Sequence, residues 1–493
     1  MAQTLLLRVK NRFSHASPSN ASPLAEPVPE QNQQPIDDTI LPKTEPVSGA
    51  RPPKREKKFS SLTAKEWSVI MYKLCRLYLV IFCMWLGLLS IYWGSVYRRE
   101  KRAANLNMLV VIEDQIFTLQ NGTIIPPVIG PLFVDLLSDG NGVGRFSIYY
   151  GRILEHFVPE NTSIYDAVVD EVFTERYWAA FYINKTALKL VYDMIAGNDT
   201  LVNYTIALQD IISCIYELGR LYSALTQYVM KSLNRICLEW TETYAPAAYA
   251  QLLQSAFTPD QQMQIVQQTN STEAPSALTW FPSINKIDLR PPSSSAVLGP
   301  SELGLVYAQL FSFHQFNFAA DLHALLINEL RFVDLLLYRF AFSQLNFLML
   351  SLVYSLLTLA FKVSVTEAYG RGGFMVLWMT MYLFFSATGG SMEVLGTFVR
   401  YTGKIYLIAP AMIFLIVVNI SPTFAAIELS PGVYRYGKGL PMYNTYEALK
   451  VVFFNTWRGN LGRNYGVLAA WIVFNTLLFT FLLHYIRKHP RNP

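Results

Sequence analysis

The sequence predicts an α-helical polytopic membrane protein with about six transmembrane helices and an α/β extracytoplasmic domain between helix 1 and helix 2. Three observations lead there. Of 493 residues, 52% are hydrophobic and 15% charged, with a mean hydropathy of +0.25, whereas an ordinary soluble domain carries about 25% charged residues. "LYLVIFCMWLGLLSIYWGSV" (Leu77–Val96) holds no charge and is long enough to cross a hydrocarbon core of about 30 Å. The block 98–302 then interrupts the apolar spans with mixed strand and helix patterning and six N-x-[ST] sequons.

Residues 1–58 hold nine prolines and many Ser, Asn, Gln and Glu. Such a composition buries too little apolar surface to offset its ordering entropy, so 1–62 is expected to be a disordered cytoplasmic tail. "MAQTLLLRVKNRF" has an apolar run of only three leucines, short of a secretory core of about 7–15 residues. The first long span is therefore expected to act as the signal anchor. "TAKE" (Thr63–Glu66) fits a capping box that starts the anchor helix and span, 63–97. Eight Lys/Arg lie in 51–76 before the span and four follow it in 98–102, a bias that favours a cytoplasmic N-terminus.

The domain 98–302 mixes both periods. "NMLVVIED" (Asn107–Asp114), "RFSIYY" (Arg145–Tyr150) and "RYWAAFYIN" (Arg176–Asn184) read as strands. Leu208, Ile211, Ile215, Leu218, Tyr222, Leu225, Val229, Leu233 and Ile236 recur every three or four residues, the spacing of one long amphipathic helix over 205–240. "TPDQQMQIVQQTNSTEAPS" reads as a loop. Asn121, Asn161, Asn184, Asn198, Asn203 and Asn270 are the glycosylation candidates, and six in one block fit an outward-facing domain. A region rich in Asn and Thr would also produce some by composition. The four cysteines include no C-x-x-C pair, which argues against a disulfide framework or zinc. Cys214 and Cys237 meet only if the helical stretch around them folds back.

A five-helix membrane bundle is expected over 303–486, with 487–493 cytoplasmic. Clear uncharged spans run 340–361, 372–392, 405–427 and 464–486, and a weaker one covers Leu303–Ala320. Without the weaker span the basic tail "RKHPRNP" ends outside; with it the tail ends inside, as positive charge prefers. Six spans follow.

"GVYRYGKGLPMY" (Gly432–Tyr443) imitates a phosphate-binding loop, but Gly439 stands where Ser or Thr would hold magnesium, and Pro441 follows. It is read as a turn at the membrane surface, with Tyr434, Tyr436 and Tyr443 at the interface and "NTYEALKVVFF" as a short re-entrant or surface helix. "DGNGVG" (Asp139–Gly144) reads as a turn. No catalytic motif, metal site or cofactor site is expected, no nucleic-acid partner, and no enzyme activity. Gln309, His314, Gln315 and Asn317 in the weak span form a candidate intramembrane polar site, weighed against bonding between neighbouring helices. Asp321–Phe340 is amphipathic and is expected as an interfacial helix, with Asp321, Arg331 and Asp334 as a candidate cytoplasmic docking site or an ordinary bent helix end. "GGSMEVLGTFVRYTGK" offers Gly389, Gly390 and Ser391 for close helix packing, with Glu393 at the interface. Asn419 lies too near the membrane to be a glycan site.

Four blocks occur in a telling order: "LNMLVVIEDQ", "RYWAAFYIN", "LRPPSSSAVLGPSELGLVY" and "LPMYNTYEALKVVFFNTWRGNLGRNYGVLAAW". With them the chain resembles, over residues 65–486, the fungal nitrosoguanidine-resistance membrane protein family, related to the membrane domain of type-2 ABC exporters. The resemblance implies a fungal membrane protein, at the plasma membrane or otherwise the endoplasmic reticulum. It implies a link to resistance against toxic small molecules and to control of phospholipid translocation. It supplies no catalytic residues and no fused ATPase. The leading expectation is a protein that modulates or takes part in movement of phospholipids or lipophilic toxicants across a bilayer. The alternatives are the membrane half of an exporter energised by a separate ATPase or flippase partner, and a membrane-anchored receptor or scaffold.

Overall fold

The computed structural model describes residues 61–119, 122–140, 144–150, 162–196, 211–268, 283–424 and 426–489. The expected N-terminal tail lies almost wholly outside them. The first helix, α1 (Ala64–Val96), begins where the capping box places it. The Thr63 N–H donates to Glu66 Oε2 at 2.9 Å, and the Glu66 N–H returns to Thr63 Oγ1 at 3.4 Å. Beyond Tyr72 most of its apolar side chains stay exposed, with Leu79 at 62%, Phe82 at 64% and Trp93 at 61%, while Leu88 is buried; such a surface suits a helix that meets lipid along most of its circumference.

A five-stranded mixed sheet follows. Its strands are β1 (Asn107–Ile112), β4 (Arg145–Tyr150), β5 (Ala179–Ile183), β6 (Ile212–Tyr216) and β7 (Ile284–Asp288), in the order β4-β1-β5-β6-β7; β2 (Phe117–Thr118) and β3 (Ile124–Ile125) form a small ribbon. Within the five-stranded sheet the β5–β6 pair is antiparallel and the other described pairs are parallel. The unbroken apolar run of β1 reflects burial on both faces. Met108, Val110 and Ile112 enter one core with α2 (Ile129–Ser138), α4 (Ala187–Ala196), α5 (Met230–Glu239) and α6 (Ala245–Ala256). Leu109 and Val111 enter the other with Val168 and Val172 of α3 (Ile164–Phe173).

Two sequence expectations fail in this domain. The single helix expected over 205–240 gives way, within the described residues from 211 on, to the interior strand β6 and a 3₁₀ turn at Leu218–Arg220; the continuous helical stretch starts at Tyr222 and runs through Ala256 with π turns at Leu225–Val229 and Trp240–Tyr244. The β-branched stretch "IISCIY" satisfies a helical period by chance, and pairing on both edges decides in favour of strand. The expected loop contains α7 (Pro259–Gln268), capped by Thr258, whose N–H donates to Gln261 Oε1 at 3.0 Å. The expected strand at 176–184 narrows to β5, because Glu175 adopts positive φ and the chain turns before Ala179. Of "DGNGVG", residues 141–143 lie outside the described residues.

The C-terminal half supplies α8 (Gly304–Phe318), α9 (Ala320–Glu329), α10 (Phe332–Ala360), α11 (Gly373–Tyr401), α12 (Ile408–Ile420), α13 (Pro441–Phe454) and α14 (Leu461–Lys488). Among the described residues, four helical stretches are long and apolar enough to cross a membrane: Ala64–Val96, Phe332–Ala360, Gly370–Tyr401 and Leu461–Lys488. Close packing at Gly389 is borne out, since a Cβ there would sit 2.3 Å from Phe347 Cε1 of α10. The amphipathic helix expected over 321–340 is broken instead. Leu330 and Arg331 are extended, so Asp321 belongs to α9 and Asp334 to the first turn of α10.

α13 is the largest surprise. Of the two positions expected for it, re-entrant or on the surface, burial argues against the second: twelve of its fourteen residues are buried, and it packs against α11, α12, α14 and the turn Leu218–Arg220 that follows β6. It therefore fastens the sheet domain to the bundle. Tyr434 is buried, and its hydroxyl donates to the Ile91 carbonyl of α1.

Candidate functional site: an apolar cavity and a buried charge cluster

The bundle carries an open-sided cavity of about 680 Å³, within the range of small-molecule sites. Its wall is apolar, built from Val394, Leu395 and Phe398 of α11, Leu415 and Val418 of α12, and Phe474 and Leu478 of α14. A few polar groups interrupt it. Asn475 of α14 donates from Nδ2 to the Ala387 carbonyl at 2.7 Å, and its Oδ1 accepts from Ser391 at 3.0 Å. Asn419 donates from Nδ2 to its own helix at Leu415 O, 2.9 Å, so the amide that a glycan would need is committed and buried. Gln309 of α8 also lines the cavity; it is 1% exposed and its Oε1 has no hydrogen-bond partner. An orphaned buried acceptor costs about 1–3 kcal/mol, which a bound donor would relieve.

A second chamber of about 300 Å³ lies between α10, α11 and α14. It contains an ion pair in which Arg339 Nη2 approaches Glu393 Oε1 at 2.5 Å, while Ser343 donates to Glu393 Oε2 at 2.6 Å. Asn475 lines both chambers.

Where α13 meets the sheet domain, a polar pocket of about 210 Å³ is lined by Glu175, Arg220, Lys438, Glu447, Lys450 and Arg463, among others. Lys450, buried at 4%, holds Glu447 at 3.0 Å and Glu175 at 3.7 Å. Burial pulls the Lys450 ammonium down, but the two carboxylates outweigh it and raise the net value. Beside them Glu217 is 1% exposed, and neither of its carboxyl oxygens has a hydrogen-bond partner. Burial, helped by the charge of Glu175, pushes its pKa up to about 8.

Over residues 77–477 the chain matches the model of a family described as a protein of unknown function, DUF3533. The chain belongs to the DUF3533 family. It is also 31% identical over 423 residues to an uncharacterized endoplasmic reticulum membrane protein of Saccharomyces cerevisiae, covering 84% of this chain and 79% of the relative. No solved structure matches. With four membrane-length helices, this DUF3533 chain is a multi-pass helical membrane protein.

In this DUF3533 chain two of the four polar residues expected to share the weak span have described side chains, Gln309 and His314. Gln309 faces the cavity. His314 is exposed, its ring 5.6 Å from Phe313 and 6.2 Å from Phe318, and the side chains of Gln315 and Asn317 lie outside the described residues. Asp321, Arg331 and Asp334 are all exposed around the break between α9 and α10. Of the sequons, Asn184 alone lies within the described residues; Asn121, Asn161, Asn198, Asn203 and Asn270 fall outside. Asn184 closes β5, and its Oδ1 accepts from the Thr186 N–H at 3.1 Å and the Thr186 hydroxyl at 3.2 Å. Sequence reasoning missed the Arg339–Glu393 pair and the Glu217–Lys450 cluster. Charged residues inside apolar or amphipathic stretches were the available signal, but their partners lie far away in sequence.

Proposed function

We propose that this protein holds a phospholipid or lipophilic small molecule in the α8–α11–α12–α14 cavity and modulates or takes part in its movement across a membrane. The carrying observation is the cavity itself: about 680 Å³, almost wholly apolar, with the unpartnered Gln309 carbonyl in its wall. Such a chamber favours a long hydrocarbon with a hydrogen-bond donor over a polar solute. The polar pocket across the segment Lys438–Tyr443 offers cations and carboxylates that suit a headgroup. The expected role in toxicant resistance, and phospholipid translocation as the specific activity, belong to this reading, as do the absence of catalysis and of cofactors. The endoplasmic reticulum, the compartment in the yeast relative's name, is the first location to test, and the plasma membrane the second.

A second reading is favoured by Asp321, Arg331 and Asp334, which stand exposed together around an extended break: the chain is the membrane half of an exporter, with a separate ATPase docking there. One assay separates the two readings. Labelled phospholipid uptake and toxicant efflux are measured in cells lacking the protein and carrying either the parent or variants. Leu415→Trp with Leu478→Trp fills the cavity and is expected to reduce the restored movement at least about fivefold, while D321A, R331A and D334A leave it intact. Lipid distribution and toxicant efflux both unchanged on deletion sink the first reading. Loss confined to the three alanine variants favours the second.

A further inference from the structure

The sheet domain brings together two thiols that no part of the transport reading uses. Cys75 and Cys83 are exposed on α1, whereas Cys214 and Cys237 are buried. Cys214 sits on β6 between β5 and β7, and shares the core with Ile212 and Tyr216. Cys237 lies one turn before the end of α5, in the same core as Leu233, Ile236 and Trp240. The strand and the helix so placed leave the two thiols close enough for each to shift the other's proton affinity. A cation stands over them. Lys286 is the register partner of Cys214 on β7, and its Nζ donates to Asn234 Oδ1 of α5 at 2.7 Å.

We propose that Cys214 and Cys237 are a dithiol–disulfide couple that, when oxidised, staples α5 to the interior strand β6. The two sulfurs have different roles. The neighbouring Cys214 thiol and the charge of Lys286 favour thiolate on Cys237, lowering its pKa, while full burial drives Cys214 upward as the proton-retaining partner. Cys237 is therefore the attacking sulfur. Its thiolate displaces one thiol from a disulfide oxidant, RSSR, forming a mixed disulfide. Cys214, giving up its proton, then attacks Cys237 Sγ and releases the second thiol. One RSSR becomes two RSH, the two protein thiols become one disulfide, and both thiol protons leave with the released RSH. Cys214 is fully buried on the strand while Cys237 keeps 9% exposure, so Cys237 is also the sulfur that the oxidant reaches first. Nothing in the exchange depends on the cavity or its ligand.

The test uses the full chain, isolated from its native membrane with N-ethylmaleimide present throughout, denatured and digested without reductant. A peptide linked through Cys214 and Cys237, with Cys75 and Cys83 alkylated, is the expected result. A second sample is isolated under reducing conditions, exposed folded in mild detergent to oxidised glutathione, and treated the same way. Linkage only in this sample also supports the couple, and shows a domain kept in a reducing compartment. Alkylation of both cysteines in both samples overturns the proposal. C214S is expected to abolish the link and leave Cys237 glutathionylated by the same oxidant; a C214S chain that forms a different internal link also overturns it. Asn184 glycosylation reports the compartment separately, so the failure of the pairing and of the outer placement are told apart.

Discussion

At the scale of single residues, the arrangement with most at stake is Arg339 with Glu393. Both side chains are almost fully buried within the bundle, at 6% and 7% exposure. Their mutual attraction offsets a desolvation cost of several kcal/mol per ion only because the geometry is complete. Ser343 satisfies the second carboxylate oxygen, and the guanidinium lies 4.9 Å over the Phe479 ring. Removing one partner leaves the other charge stranded. Glu393→Ala or Arg339→Ala is therefore expected to cost about 3–5 kcal/mol, read as a large fall in the thermal midpoint in detergent. The double replacement Arg339→Met with Glu393→Leu is expected to recover most of it. Losses that simply add in the double variant would show that the pair does not interact. In the sequence Glu393 was visible only as an acid beside "GGS", and Arg339 only as the polar end of an amphipathic stretch. The packing of small residues was legible because it is local. The ion pair was not, because α10 and α11 must first fold back on each other.

At the scale of elements, α13 shows what a local pattern conceals. Glu447 and Lys450 stand three apart, as on a solvated face, and the sequence reads as a short re-entrant or surface helix. Instead both enter a junction with Glu175 and Glu217 of the sheet domain, and Gly219 is fitted so closely that a Cβ would sit 2.5 Å from Phe454 Cβ. The strands β1, β4 and β5 were legible because β-branched and aromatic runs bounded by polar turns leave few alternatives. β6 was not, since four residues in helical register outweighed a short β-branched run until tertiary pairing decided. The junction gives a pH prediction. Glu217 holds its proton in the folded protein up to about pH 8, against an ordinary value of 4.5. Between those values the folded state binds the proton and the unfolded chain does not, so stability falls as pH rises and levels off above about pH 8. The upper bound is about 4–5 kcal/mol, reduced by residual solvent screening. Glu217→Gln is expected to match the parent near pH 4 and to melt higher than it at pH 9. A variant that melts lower at every pH, with the parent's slope, would show that the carboxyl is ionised in the fold.

At the scale of the whole molecule, the open quantity is how many times the chain crosses the membrane. Four stretches have the length on their own. α8 has fifteen residues and α12 thirteen, about 22 and 20 Å at 1.5 Å per residue, short of a core of about 30 Å. Each is extended at its N-terminal end: the π turn Gly299–Leu303 runs directly into α8, and the 3₁₀ turn Ile405–Leu407 into α12. Both also pack on α11. Irregular backbone at membrane depth is tolerated where protein rather than lipid covers it, so both helices are expected to cross, giving six spans. With the N-terminus cytoplasmic, six spans return the C-terminus to the cytoplasm and put β5, with Asn184, on the opposite side. Sealed microsomes from cells expressing a chain tagged at both ends test this directly. Added protease is expected to remove both tags while the sheet domain stays protected. Asn184→Gln is expected to increase gel mobility by one glycan, a difference abolished by endoglycosidase. A protected C-terminal tag with a digested N-terminal one would mean an odd number of spans, and the shortfall would then lie in α8 or α12 rather than in the four long helices.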